Sequence, residues 1–385
     1  MGLEAAGTRA RVIATLASLQ SGIEPVALAL LVDHHAIDPQ DFGWIVSIGQ
    51  IGMTAGALLS WLPGNATRRL IRAGPALGMG ASLALSVAHG LFAIMVLRLV
   101  LGAVMGLLLA HAVAIAARAR PHRAIGIIML AQQLLSTLVL AGLPWIAVMW
   151  SPGVALGTLA GVPLIIALFS RKEDVDHDLW PAGSRDSAGE RFGRVVTGRS
   201  FGREIVPMAL TIAITMMLWS YIATIGSALD VRDTDIGFAI AMGSLASAPL
   251  ALVAAFSGPR LEPWLTALVC GAAMVSPLFL TAGTGLAGYI VALALFNAGS
   301  TFGTIRFSAW AMERCATERD RRFVAMVQCG AMAGGPALGA IAMRLDGLAA
   351  LGAIALAGTA ATVLLPAMFK NGSPAQAPMD GALAG

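Results

Sequence analysis

Glu24 and Arg98 are the two residues whose types and positions most strongly suggest chemistry. The chain has 21 acidic residues, and Glu24 is the one that lies well inside an apolar run. A charge at the centre of a bilayer costs about 2.5–3.5 kcal/mol, so a carboxyl group there faces a cavity, meets a cation or stays protonated. At 1.5 Å per residue, both side chains lie about 12 Å from the same membrane surface. We therefore predict that they face one another.

Two interpretations of this predicted pair stay open. Glu24 either binds and releases a proton, or a substrate cation, as Arg98 approaches and withdraws, or the two form a static pair that fixes helix packing. Gln20 lies one turn before Glu24 on the same helical face, and it is a candidate either for hydrogen bonding to substrate or for a contact between helices.

Six further residues in apolar runs are candidates for substrate binding. Arg306 lies near the end of its run, where its long side chain either reaches the headgroups or binds an anionic substrate. Trp219 either belongs to an interfacial aromatic belt or forms a cavity wall. The remaining candidates are amides that either contact substrate or bond between helices, namely Gln132, Gln133, Asn297 and Gln328.

The composition excludes most classes of protein. Of the 385 residues 57% are hydrophobic and 12% charged, with a mean hydropathy of +0.80. Soluble domains carry about 25% charged residues, so a soluble enzyme, a nucleic-acid binder and a disordered chain are excluded, and the lipid bilayer is the expected surrounding. The sequence has no zinc-protease motif and no ATP-binding phosphate loop, which predicts no metal, no cofactor and no ATP-driven transport.

The apolar runs predict an all-α membrane protein with twelve transmembrane helices. Each run is close to the 20 or so residues that span a bilayer. The predicted spans cover 12–32, 42–62, 73–89, 91–116, 124–143, 153–169, 205–227, 236–256, 264–282, 285–309, 323–343 and 347–369.

The basic residues predict the orientation of these spans. If the N-terminus is cytoplasmic, 21 of the 25 basic residues lie inside and two, Arg232 and Arg344, lie outside, as positive charges on the cytoplasmic side require. Both termini are therefore expected in the cytoplasm. Lys172 and Lys370 are the two lysines, and this preference for arginine, together with abundant alanine and glycine, is typical of a GC-rich bacterial genome. The expected location is the bacterial cytoplasmic membrane.

Repeated motifs divide the chain into two six-helix bundles. Asp41-Phe42-Gly43-Trp44 before the second span matches Asp235-Ile236-Gly237-Phe238 before the eighth. The predicted domains are an N-terminal bundle over 1–170, a basic cytoplasmic connection over 171–203, a C-terminal bundle over 204–370 and a disordered tail over 371–385. Such parallel repeats enclose a central cavity and rock to expose it alternately.

Glycines at helical spacing are predicted to let helices pack and slide closely. Gly102 and Gly106 in the fourth span match Gly299 and Gly303 in the tenth. The eleventh span carries a further run that contains Gly334, Gly335 and Pro336.

The chain resembles the major facilitator superfamily of secondary transporters. Arg98-Leu99-Val100-Leu101-Gly102, followed by Gly106, is similar to the helix 4 motif of that family, and Gly56 with Arg68-Arg69 is similar to its loop motif. The acidic residue usual in the loop motif is missing between Ser60 and Thr67. The resemblance implies two bundles of six helices, a central cavity lined by helices 1 and 4, and a gating role for Arg68 and Arg69.

We therefore expect a secondary active transporter that moves a small organic solute by alternating access and is coupled to protons through Glu24. The alternatives are a proton-independent uniporter or exchanger, a drug exporter, and a non-transporting membrane sensor. The fifth span lacks the Gly-Pro motif of many proton-coupled drug exporters, which lowers the weight of that alternative. The expected partners are the solute, protons and the bilayer, with no nucleic acid. A monomer is expected because one chain supplies both halves of a pathway.

Overall fold

The structure is a computed structural model that describes residues 2–35, 42–60, 65–118, 120–169, 204–256, 261–280, 284–315 and 317–368. Within these ranges the chain forms helices and no strands. The predicted connection over 171–203 and the predicted tail over 371–385 lie outside the described residues, as does Asp41 of the first repeat motif.

Seven of the described helices make up the part of the chain that we call the N-terminal half. Ser151 caps α6 by accepting a hydrogen bond from the backbone N–H of Val154 at 3.2 Å. Gly90, with φ of 84°, makes the turn between α3 and α4, a conformation that glycine adopts without strain. The helices are α1 (Gly2–His35), α2 (Phe42–Leu59), α3 (Asn65–Leu85), α4 (Leu91–Ala116), α5 (Pro121–Met149), α6 (Pro152–Thr158) and α7 (Gly161–Phe169).

The C-terminal half holds the remaining helices. The long last helix leaves helical geometry at Asp346 and at Gly347, whose φ is 58°, so it consists of two helical segments, 318–345 and 348–368. The helices are α8 (Val206–Ser220), α9 (Ile222–Ala228), α10 (Asp233–Ala246), α11 (Ala248–Phe256), α12 (Pro263–Met274), α13 (Gly285–Glu313) and α14 (Glu318–Met368).

Six helical stretches of the described chain are long and apolar enough to cross a membrane. They are Leu91–Ala116, Pro121–Met149, Pro152–Phe169, Asp235–Phe256, Gly285–Glu313 and Glu318–Pro366. The bent pair α8 and α9, which meet at 49°, raises the number to seven if it forms one span. The chain is therefore an all-α membrane protein, and the full set of twelve spans stays a prediction.

Glycines bring α2 and α4 into backbone contact. A Cβ added to Gly102 would lie 2.0 Å from the carbonyl oxygen of Gly49, and one added to Gly106 would lie 1.9 Å from that of Met53. In the other direction, a Cβ on Gly56 would lie 1.8 Å from the carbonyl oxygen of Ala103. No side chain fits at such separations, so the spacing of these glycines sets the distance between the two helices.

We expect Gly102→Ala to lower the free energy of unfolding by about 1–3 kcal/mol, because the added methyl group forces α2 and α4 apart. Gly334→Ala is the matched control, since a Cβ at Gly334 meets no atom within 4 Å. Where a helix has room for the methyl group, as at Gly334, replacing glycine by alanine is neutral or stabilises the fold by up to about 1 kcal/mol. Unfolding of both variants in detergent micelles checks this, and equal stability of the two would contradict the proposed contact.

Candidate functional site

A buried ion pair joins α1 to α4. Arg98 donates from Nη2 to both carboxylate oxygens of Glu24. The two residues are 3% and 2% exposed, respectively. Gly49 of α2 packs against the guanidinium, and a Cβ added there would lie 3.4 Å from Arg98 Nε. The pair is thus enclosed by three helices of the N-terminal half, and the facing arrangement expected from the sequence is present.

Neither residue of the pair is among the residues that line the central cavity between the two halves, although α1 and α4 both contribute to that lining, as the resemblance implies. On α1, Ser18, Ser21 and Gly22 reach that cavity. Glu24 follows Ser21 by three residues, which places the two side chains about 60° apart around α1, whereas Gly22 lies about 160° from Glu24. The carboxylate of Glu24 therefore reaches Arg98 of α4 from a position beside the cavity-lining residues of α1.

A small cavity of about 40 Å³ adjoins the ion pair inside the N-terminal half. Arg98 and Gln20 supply its polar lining together with Ser82. Both amide atoms of Gln20 and the Nε of Arg98 are buried without a hydrogen-bond partner among the described residues. A cavity of this size has room for a water molecule, which needs two to four polar partners. The predicted role of Gln20 in substrate binding is not supported, because the residue faces this cavity and not the central one.

The central cavity lies between the two halves and has a volume of about 180 Å³. Trp219 of α8 and Phe296 of α13 form one wall, with their rings stacked at 6.2 Å between centroids and 6° between planes. The structure therefore favours a role for Trp219 in the cavity wall over a position in an interfacial aromatic belt. Residues of α1, α4 and α5 in one half and α8, α13 and α14 in the other contribute to the lining.

The structure brings the four predicted amides to this cavity. Gln132 and Gln133 reach it from α5, Asn297 from α13 and Gln328 from α14. Gln133 also joins the halves, because its Nε2 donates to Ser247 Oγ and to Thr301 Oγ1, each at 3.1 Å.

Sequence reasoning missed a row of hydroxyl groups on α13. The row continues the face of Asn297 at helical spacing and consists of Ser300, Thr301, Thr304 and Ser308. Polar residues that recur every three or four positions in an otherwise apolar helix are the signal that would have identified it.

Arg306 is fully enclosed by protein, which corrects the expectation that it reaches the headgroups. It is 2% exposed, and its guanidinium lies 5.2 Å from the centroid of the Phe302 ring, a cation–π contact that stabilises the charge in place of water. It is not among the residues that line the central cavity, so substrate binding by Arg306 is not supported either.

Ionic contacts between the halves gather at one end of the bundle. We call this the basic end and define it by Ser60, Arg118, Glu318, Arg321 and Arg322. Arg118, which follows α4, forms an ion pair with Glu318 at the start of α14. Arg322 donates to the carbonyl oxygen of Ser60 at 3.2 Å and to the carboxylate of Glu318 at 3.3 Å. Arg321 donates to the carbonyl oxygen of Ala114 at 3.2 Å.

Positive charge is crowded at the basic end. Burial, together with the charges of Arg321 and Arg322, lowers the pKa of the Arg118 guanidinium from its ordinary value. His122 Nε2 and Glu313 Oε1, 3.1 Å apart, form a further contact between the halves. Sequence reasoning noted the missing acid of the loop motif but did not identify Glu318 as the carboxylate that joins the halves.

The halves also meet elsewhere. At the end opposite the basic end, the guanidinium of Arg344 lies 5.6 Å from the centroid of the Trp44 ring. Between the ends, a Cβ added to Gly126 of α5 would lie 2.4 Å from the Cβ of Ala255 in α11. The cavity therefore has contacts between the halves on both sides of it.

The other residues predicted to pack or gate differ in their surroundings. A Cβ on Gly299 would lie 2.5 Å from the carbonyl oxygen of Cys270, and one on Gly335 would lie 2.3 Å from that of Ala213. A Cβ on Gly303 would lie 3.3 Å from Cys270 Cβ, a looser contact. A Cβ on Gly334 would meet no atom within 4 Å, so the prediction of close packing at Gly334 is wrong. Pro336 is buried, Arg68 partly buried and Arg69 exposed.

Within the described ranges, no group of three or more His, Cys, Asp or Glu side chains is placed to hold a metal ion. The candidate functional features are the central cavity, the small cavity beside Gln20 and Arg98, the Glu24–Arg98 ion pair and the basic end.

Comparisons with known proteins agree with this arrangement. The family model described as Major Facilitator Superfamily matches residues 12–340. Among solved structures, the crystal structure of the human organic anion transporter MFSD10 (TETRAN) matches with a TM-score of 0.71. That match covers 96% of this chain and 100% of the other at 16% sequence identity, which indicates a shared fold. A comparison with curated protein sequences gave no match.

Proposed function

Because the chain belongs to the Major Facilitator Superfamily, and is thus a membrane transporter and not an enzyme, we propose that it is a proton-coupled secondary transporter. It moves a small organic solute across the bacterial cytoplasmic membrane by alternating access, as a monomer of twelve spans with both termini in the cytoplasm. The observation that carries the proposal is the cavity of about 180 Å³ that both halves line.

The contacts at the two ends of the bundle are suited to alternate opening. At the basic end, ionic contacts of Glu318 and Arg322 join the halves, and at the other end the Arg344–Trp44 contact does. Release of one set while the other holds would expose the cavity to one side of the membrane at a time. In the proposed orientation the basic end faces the cytoplasm.

Proton coupling is assigned to Glu24. Protonation neutralises its carboxylate, so Arg98 loses its ionic partner and the contact between α1 and α4 weakens. The small cavity beside Gln20 and Arg98 provides room for water and hence for the arrival of a proton. Because α1 also carries Ser18, Ser21 and Gly22 into the central cavity, a shift of α1 links the protonation of Glu24 to the solute site.

We expect Glu24→Gln to abolish the accumulation of solute that an inward proton gradient drives in liposomes. A neutral amide cannot release a proton, while exchange of solute down its own gradient should persist. Glu262→Gln is the matched control, because Glu262 is exposed and lies outside the site. Flux is measured for a panel of small organic compounds with and without the pH gradient.

Each other outcome of this assay identifies a different function. Full proton-driven uptake by Glu24→Gln would remove the coupling role. Flux in the wild type that ignores the pH gradient would indicate a uniporter or exchanger. No flux of any compound by the wild type would indicate a non-transporting protein.

A further inference from the structure

We propose that the central cavity binds an uncharged solute of about one ring in size, which donates a hydrogen bond to Gln132. This inference rests on the proposed function, since it names the class of solute for the same site. It depends on three properties of the cavity: its charge, the direction of its hydrogen bonds and its size.

The first property is the absence of charge from the described lining. The described residues around the cavity include no Asp, Glu, Lys, Arg or His. The two buried arginines nearby are engaged elsewhere, Arg98 with Glu24 and Arg306 over the ring of Phe302. A solute with a net charge would lose its hydration without gaining a counter-charge, which is strongly unfavourable at membrane depth.

The second property is that several polar side chains of the lining already use a donor hydrogen within their own helices. Ser18 and Ser300 donate their hydroxyl hydrogens to carbonyl oxygens of their own helices at 3.0 Å and 3.1 Å. Asn297 Nδ2 likewise donates to the Leu293 carbonyl oxygen at 2.9 Å. Each of these side chains keeps lone pairs directed away from those bonds.

Gln132 is the most specific of these acceptors. The residue is 7% exposed and lines the cavity, and its Oε1 has no hydrogen-bond partner among the described residues. A buried acceptor left without a donor is costly, and the cost is removed when a bound solute supplies an N–H or O–H group. Its position is fixed by close packing, because a Cβ at Gly22 would lie 2.8 Å from Gln132 Nε2.

The third property is the size and shape of the apolar wall. A volume of about 180 Å³ is slightly more than the 150 Å³ or so that accommodates one benzene molecule in an engineered protein cavity. The stacked rings of Trp219 and Phe296 give a flat surface, and Met129, Met216 and Met332 supply side chains that adapt to different outlines. A single substituted ring fits this space.

The test compares four compounds on one ring with the full chain in detergent. They are benzamide, which is neutral with N–H donors, methyl benzoate, which is neutral without donors, benzoate, and benzylammonium. We expect benzamide to raise the thermal unfolding temperature the most and benzoate not to raise it. Gln132→Leu should weaken benzamide binding about tenfold and leave methyl benzoate unaffected. Gln132→Glu should shift the preference to benzylammonium.

Thr266→Val is the control, because Thr266 is a buried polar residue without a hydrogen-bond partner among the described residues and lies outside the cavity. It should bind benzamide as the wild type does. Binding of benzoate as tight as that of benzamide, no binding of benzamide, or equal affinity in Gln132→Leu would each overturn the inference. A flux assay distinguishes failure of this inference from failure of the proposed function. Transport of benzoate by proteoliposomes would support a transporter and refute the inference that the solute is uncharged. Binding of benzamide together with no flux of any compound of the panel would refute transport and leave the class of solute standing.

Discussion

Replacing Arg98 by leucine is expected to lower the free energy of unfolding by about 3–5 kcal/mol, because Glu24 is left buried without its cation. The two side chains are 4% and 3% exposed, so water cannot compensate for the lost partner. Unfolding in detergent micelles measures the loss.

The double variant Glu24→Leu with Arg98→Leu is the informative control for this prediction. Replacement of a whole buried ion pair by apolar residues is often neutral or stabilising. We therefore expect the double variant to be at least as stable as the wild type while losing proton-driven transport. Unchanged stability of Arg98→Leu, or a double variant no more stable than it, would show that the two charges do not depend on each other.

The contact between Glu24 and Arg98 could be predicted from the sequence because helix geometry fixes depth. Each residue advances a helix by 1.5 Å, so counting residues from the ends of two spans places one residue of each at the same level. The rotation of each helix about its axis is a different matter. It is read from an amphipathic pattern, and neither α1 nor α4 shows a strong one. That is why the sequence did not show that Gln20 faces the small cavity beside Arg98 and not the central cavity.

Arg306 shows a second limit of sequence reasoning. An arginine near the end of a span extends to the headgroups when nothing closer stabilises it. Here Phe302, one turn earlier on α13, offers its ring at 5.2 Å. A cation–π contact at this spacing is compatible with the sequence, but whether the side chain turns toward that ring depends on neighbouring helices, which the sequence alone does not place.

The carboxylate at the basic end was beyond prediction for a similar reason. Glu318 and Arg118 are distant in sequence, and their contact exists only when the two halves meet at that end. The loop motif of the N-terminal half lacks its usual acidic residue. In the structure, Glu318 of the C-terminal half supplies the carboxylate that joins the two halves. Two partners that lie in different halves of the chain leave no periodic signal within either half.

Reversal of the charge at Glu318 has the largest effect that we expect on the balance of conformations. Glu318 is the ionic partner of Arg118 and accepts a hydrogen bond from Arg322. In Glu318→Arg, the new cation faces both arginines, and like charges placed together at an interface cost several kcal/mol. The basic end should therefore open, with a shift of about 100-fold in the ratio of closed to open molecules, since each 1.4 kcal/mol or so is tenfold.

The opening can be measured as a distance between the halves. Leu70 and Leu261 are exposed, one in each half, and cysteines introduced there can carry spin labels. The three native cysteines are buried, so they should label poorly. We expect the distance distribution to move to longer values in Glu318→Arg, to change less in Glu318→Gln, and to return toward that of the wild type when Arg118→Glu is added.

The added Arg118→Glu change distinguishes a gate from a general loss of stability. It restores one ion pair with the charges exchanged, so it should recover closure even though Arg322 still faces the arginine at position 318. An unfolded or loosened protein would not recover in this way. If Glu318→Arg leaves the distances unchanged, the ionic contact at the basic end does not hold the halves together, and closure depends instead on the backbone packing of α5 against α11 at Gly126 and Ala255.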